Sequence, residues 1–152
     1  MQTLLLRIGL VPRNLVMNVR PLRLPPGADL RAALEAATTG HHGSAFVVCG
    51  IGSLTDAKIR FAGQEATTTV AGPSEIVSLS GSLSADGAHL HMSVAGADGA
   101  VVGGHVVHGN LVRTTVEVLL VLLPEWRLSR EHDPSTGYKE LHVRSRGPER
   151  DA

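Results

Sequence analysis

The sequence reads as an α+β chain, a mostly antiparallel, curled β-sheet packed around one main helix. Three observations carry that reading. Only residues 30–37 place apolar side chains at helical spacing, with Leu30, Ala33, Leu34 and Ala37 on one face. Almost everything that follows alternates in polarity over short runs separated by Gly, Pro and Asp turn signals. Hydrophobic residues make up 43% of the 152 and aromatics 3%, more apolar surface than one helix and one sheet face can cover. A sheet curled on itself, or an oligomer interface, would take up the excess.

Taken in order, residues 1–16 read as a flexible or mis-assigned N-terminal extension, with Met17 as the natural start. The apolar stretch Leu4-Leu5-Leu6 is cut by Arg7. It falls far short of the roughly 20 residues a membrane span needs, and no signal-cleavage pattern follows. No membrane partner and a cytoplasmic location are expected. Residues 19–24 predict a strand stopped by Pro25-Pro26-Gly27. Asp29 is placed to cap the helix and Gly40 to end it. Residues 44–49 form an apolar run that predicts a buried strand with Cys49 inside it, broken by Gly50-Ile51-Gly52-Ser53. Further strands are expected over residues 57–61, 67–70, 75–82, 88–95 and 100–107, with turns at Asp86-Gly87 and Asp98-Gly99. Residues 114–122 are long and very apolar, which predicts a central strand, and Pro124 ends it. Residues 140–143 form a last short strand, and residues 144–152 read as a disordered polar tail. A single domain over residues 17–143 accommodates all of this.

Lys plus Arg and Asp plus Glu both number 14, so the formal net charge is zero. That argues against a protein held on duplex DNA mainly by phosphate neutralisation. One cysteine excludes an intrachain disulfide.

Five blocks resemble the plants-and-prokaryotes-conserved (PPC) domain family: Leu22-Arg23-Leu24-Pro25-Pro26-Gly27-Ala28-Asp29-Leu30; Gly50-Ile51-Gly52-Ser53-Leu54-Thr55-Asp56-Ala57; Gly72-Pro73-Ser74-Glu75-Ile76-Val77-Ser78-Leu79-Ser80-Gly81; His89-Leu90-His91; and the run from Asp98 to Gly103-Gly104-His105. They fall in order across residues 20–123. The resemblance implies strands wrapped around a helix and a homotrimer. In plants the domain follows AT-hook motifs and mediates protein–protein contacts in nuclear DNA-binding proteins, so DNA as a partner here rests on family analogy. An AT-hook needs an Arg-Gly-Arg-Pro core, and Arg146-Gly147-Pro148 lacks the second Arg. The plant versions generally lack the histidines. This chain keeps the prokaryotic pattern, which implies that His89, His91 and His105 hold a metal, typically zinc.

Spacing alone supports part of that set. His89 and His91 are two apart on a predicted strand and project from one face. With a two-residue loop at Asp98-Gly99, His91 would oppose Val106 and His89 would oppose His108. With a three-residue loop, Ala97-Asp98-Gly99, His91 would oppose His105. Both loops suit the residues, so spacing leaves His105 and His108 balanced. The resemblance selects His105 and leaves His108 as an additional candidate. Gly103-Gly104 would form a bulge or allow the close approach of another chain. Three histidines without a fourth protein ligand imply an open metal position. Glu75, Glu117 and Asp56 are the carboxylates available as general acid or base. Glu75 also aligns with a partner-contact segment of the plant proteins, in which Ser74 here replaces a Phe. The expected function is a trimeric protein whose three-histidine zinc site binds or acts on a small ligand; the alternatives are a DNA-associated regulator and a protein-interaction scaffold.

Overall fold

The computed structural model describes residues 18–39 and 43–146. The expected extension over residues 1–16, the Gly40 helix stop and residues 147–152 lie outside them. The element order is β1 (Asn18–Leu24), α1 (Leu30–Thr38), β2 (Ala45–Leu54), β3 (Ala57–Arg60), β4 (Thr68–Val70), β5 (Ser74–Ser84), β6 (Gly87–Ala95), β7 (Val101–Val106), β8 (Val112–Leu122), β9 (Trp126–His132) and β10 (Lys139–Ser145). Eight strands form one sheet in the order β1-β8-β2-β5-β6-β7-β3-β4, and β9 pairs only with β10. All pairings are antiparallel. The sheet curls without closing, so β1 and β4 remain edges. Pro21 has no N–H to give a ladder and sits on the edge strand β1.

The helix forms where the sequence places it. The Asp29 Oδ1 accepts the Ala32 N–H at 3.0 Å, which caps the first turn. Leu30 and Leu34 are fully buried and meet Val116, Leu120 and Leu90 in one core. Asn110, buried and polar, joins the loop before β8 to β3. Its side chain accepts the Lys58 N–H at 2.8 Å and donates to the Lys58 and Val107 carbonyls at 2.9 and 2.7 Å. Both amide donors and one acceptor position are thereby satisfied.

Four details differ from the sequence reading. The glycines at 50 and 52 do not break β2, which runs through them to Leu54. They are there for want of space: a Cβ on Gly52 would stand 2.3 Å from the Thr115 carbonyl oxygen, and one on Gly50 2.8 Å from the Leu79 side chain. Cys49 is exposed rather than buried. A register shift between Val47 and Cys49 puts Val48 and Cys49 on the outer face in succession, so the alternation that would bury the thiol is reversed. The strand over residues 114–122, expected to be central, is β8 and lies second from an edge, between β1 and β2. Finally, β9 was not expected, and β10 continues to Ser145, two residues into the segment read as tail. Only Leu128 of β9 is buried, so its charged neighbours mask the strand pattern.

Candidate metal centre

The site is built on the hairpin β6–β7. Its loop is the three-residue form: Gly99 donates to the Gly96 carbonyl and Gly96 to the Ala100 carbonyl, both at 3.0 Å, and Gly99 takes φ 79°. The Asp98 carboxylate accepts the Ala100 N–H at 3.0 Å and fixes the turn. This register sets His91 opposite His105. His89 projects from the same face as His91, two residues away.

Two glycines allow the neighbouring strands to close on the histidines. A Cβ on Gly81 would lie 2.1 Å from the His89 carbonyl oxygen, and one on Gly104 would lie 2.7 Å from the Arg60 carbonyl oxygen. At Gly103-Gly104 the close neighbours are β6 and β3 of the same chain, where another chain was the expectation.

The three imidazoles converge. Ring centroids are 4.4 Å apart for His91 and His105, 5.0 Å for His89 and His91 and 5.2 Å for His89 and His105. One ring nitrogen from each lies within 4.8 Å of the others. The Nε2 atoms of His89 and His91 are 3.2 Å apart. A tetrahedral zinc with Zn–N bonds of about 2.0–2.1 Å needs its nitrogens about 3.3 Å apart, which the His89–His91 pair matches, so the three residues could hold a divalent ion. A hydrogen bond between two neutral rings would explain one such pair, but not a third ring turned on both.

Electrostatics keep two of the rings, His89 and His105, available as donors. Burial holds the His89 pKa down to about 4, with the Arg130 guanidinium and the other two histidines adding to the shift and Glu140 opposing it. Burial, then Arg60 and His91, lower His105 as well. Both rings are thus neutral near pH 7, the form that binds metal.

The other candidates stand apart. His108 lies beyond the end of β7, exposed, with its ring 3.9 Å from the Asp29 carboxylate and 3.7 Å from that of Glu35. Glu75 is exposed on β5, paired with Ser53 and Ala95. Glu117 is exposed on β8 across from Arg23, and Asp56 accepts the Gly72 N–H at 2.8 Å. None of these carboxylates reaches the histidines. Sequence reasoning missed instead a cavity of about 680 Å³ beside His89 and His105, walled by Arg31, Arg60, Arg130, Tyr138, Lys139 and Glu140 among others. The missed signal is Arg60, whose outward position on β3 is legible, but whose pairing with His105 depends on strand order.

Comparison with known proteins is consistent with this architecture. The family model for the Plants and Prokaryotes Conserved domain matches residues 14–124. Proteins named bifunctional protein GlmU from two Synechococcus strains are 45% identical over 128 residues, 84% of this chain; the chain spans only 20% and 21% of their lengths. A solved structure of a hypothetical protein from Salmonella enterica is 41% identical with a TM-score of 0.80, covering 86% of this chain and 96% of that one. A structure named a metal-containing protein, from Archaeoglobus fulgidus, is 30% identical with a TM-score of 0.67, covering 80% and 91%. A structure from Bacteroides thetaiotaomicron whose name refers to DNA binding is 22% identical with a TM-score of 0.71, covering 82% and 91%, a likeness of fold alone.

Proposed function

The chain belongs to the Plants and Prokaryotes Conserved domain family, and from that premise we propose that it is a homotrimeric zinc protein whose His89, His91 and His105 hold the metal and which binds or acts on a small ligand beside it. The observation that carries this reading is the convergence of three ring nitrogens within 4.8 Å from two adjacent strands. The Archaeoglobus fulgidus relative, named for its metal, supports it. Zinc held by His89, His91 and His105 would supply Lewis acidity to a water or ligand beside it. The chain's own residues do the rest. The hairpin fixes the ring positions, burial and the nearby arginines keep the His89 and His105 rings unprotonated, and the cavity beside them gives a ligand room to reach them. A volume of about 680 Å³ lies in the range of small-molecule sites.

Self-association is supported by the outer face of the sheet. Phe46 (38% exposed), Val48 (52%) and Ile51 (58%) on β2 and Val77 (55%) on β5 form an apolar strip. It borders a groove lined by Pro21, Leu22, Cys49, Val118 and Leu119. A strip of that kind marks an interaction surface. The proposed domain, residues 17–143, extends to Ser145 because β10 does. A DNA-associated role, the alternative by family analogy, has weaker support, because the formal net charge is zero and the likeness named for DNA binding reaches only the fold.

The test is metal content by mass spectrometry on untagged protein, wild type beside His89→Ala and His91→Ala. Near one zinc per chain, lost in both variants, is expected. Wild-type protein that takes up no stoichiometric zinc, even when zinc is added back, would leave the scaffold or regulator reading.

A further inference from the structure

We propose that the pocket beside the histidines recognises the phosphate group of a small phosphorylated ligand, gripped by Arg60 and Arg130 from the two sides of the cluster. The inference rests on the metal-centre reading for the role of the histidines, and on separate residues for the anion.

The strand order places the groups. Across β5, β6, β7 and β3 runs one rung, Ser80–His91–His105–Arg60, in which each residue is the direct partner of the next. Arg60 therefore flanks His105 on the side away from His91. On the opposite side, Ser82 of β5 is the partner of His89, and the Arg130 guanidinium of β9 donates to the Ser82 Oγ at 2.9 Å. Arg60 and Arg130 line the same cavity as His89 and His105. Arg130 lies beyond the family-matched residues 14–124, so the ribbon β9–β10 brings this half of the grip to the shared domain.

Neither guanidinium forms an ion pair among the described residues. Arg60 donates only to a backbone carbonyl, that of Gln64 at 3.1 Å, and Arg130 only to the Ser82 hydroxyl. A guanidinium carries five N–H donors in a fixed fork, so both keep donors for an oxyanion. The carboxylates in the pocket wall are Glu65, Asp86 and Glu140, against Arg31, Arg60, Arg130 and Lys139. Asp86 is engaged by the Arg130 backbone N–H at 2.8 Å and Glu140 by the Thr136 hydroxyl at 3.1 Å. Arg31 is neutralised by Glu35 at 2.9 Å. A divalent ion on the histidines would add two further positive charges. Two forks lining one cavity with the histidines suit an anion with at least three free oxygens. A phosphate monoester has them, and a carboxylate has two.

The test is isothermal titration calorimetry with inorganic phosphate as probe, on wild type, Arg60→Gln and Arg130→Gln, each as purified and after zinc is added, with metal content measured in parallel. Saturable binding of one phosphate per chain, weakened at least tenfold in each arginine variant while zinc content is unchanged, is expected. Absent phosphate binding in zinc-loaded wild type, or equal binding in the arginine variants, overturns the proposal, as does acetate binding as tightly as phosphate. Wild type that holds no zinc but still binds phosphate through both arginines would sink the metal reading and leave the anion pocket standing.

Discussion

His89 is the residue whose environment has the plainest consequence in solution. Its folded pKa is about 4 against an ordinary value of 6.5, so between those values the unfolded chain binds a proton that the folded chain does not. Stability then rises with pH across that window. The contribution is complete above about pH 6.5 and is lost as pH falls towards 4. His105 shifts in the same direction. Metal-free protein is therefore expected to melt at lower temperature at pH 5 than at pH 7, and His89→Gln should make that pH slope shallower than in wild type. Equal slopes in thermal melts of the two proteins would contradict the assigned environment. The shift also explains why a histidine flanked by an arginine can still serve as a ligand: what opposes protonation leaves the lone pair free.

The ribbon β9–β10 governs the pocket at the level of elements. It reaches the sheet through few contacts. Leu128 is buried, its N–H donates to the Ser44 Oγ at 3.0 Å, and Arg130 bonds Asp86 and Ser82. Leu128→Ala removes the ribbon's one buried apolar side chain at a cost of about 2–5 kcal/mol, as for other buried leucines. Because the lost contacts join ribbon to sheet, amide exchange should accelerate most over residues 126–145 while β5, β6 and β8 stay protected. Uniform acceleration through the whole sheet would show that the ribbon and the sheet open as one unit. The hairpin β6–β7 is the opposite case, tied on both sides by strands that press against it where Gly81 and Gly104 leave no side chain in the way.

Among the described residues, the outer sheet face stays exposed at Phe46, Val48, Ile51 and Val77, and the proposed trimer would cover that strip. Light scattering at micromolar concentration should return three chain masses for wild type. Ile51→Asp places a charge in the middle of the exposed strip and should return a smaller species at the same concentration, with the fold retained by circular dichroism. A wild-type monomer would overturn the trimer. The location of the strip accounts for the apolar excess noted in the composition: it is divided between the core around α1 and this outer face, not spent on a closed barrel.

The sequence by itself determined the fold class, the single capped helix, nearly every strand of the main sheet and the pairing of His89 with His91 on one face. These follow from local rules: period, turn chemistry and a capping carboxylate act over a few residues. Spacing left the hairpin loop, and with it His105 against His108, open between two registers. The tertiary structure decided that register, because ladder bonds and the φ 79° of Gly99 distinguish a three-residue from a two-residue turn. It also decided the exposure of Cys49, since a bulge reverses alternation without changing composition, and the course of β2 through glycines that are small for their neighbours' sake. Above all it assembled the pocket. Arg60 and Arg130 stand 70 positions apart in the sequence and flank the histidines only because β3 pairs with β7 and the ribbon folds back on β5, contacts between distant segments that no local pattern encodes.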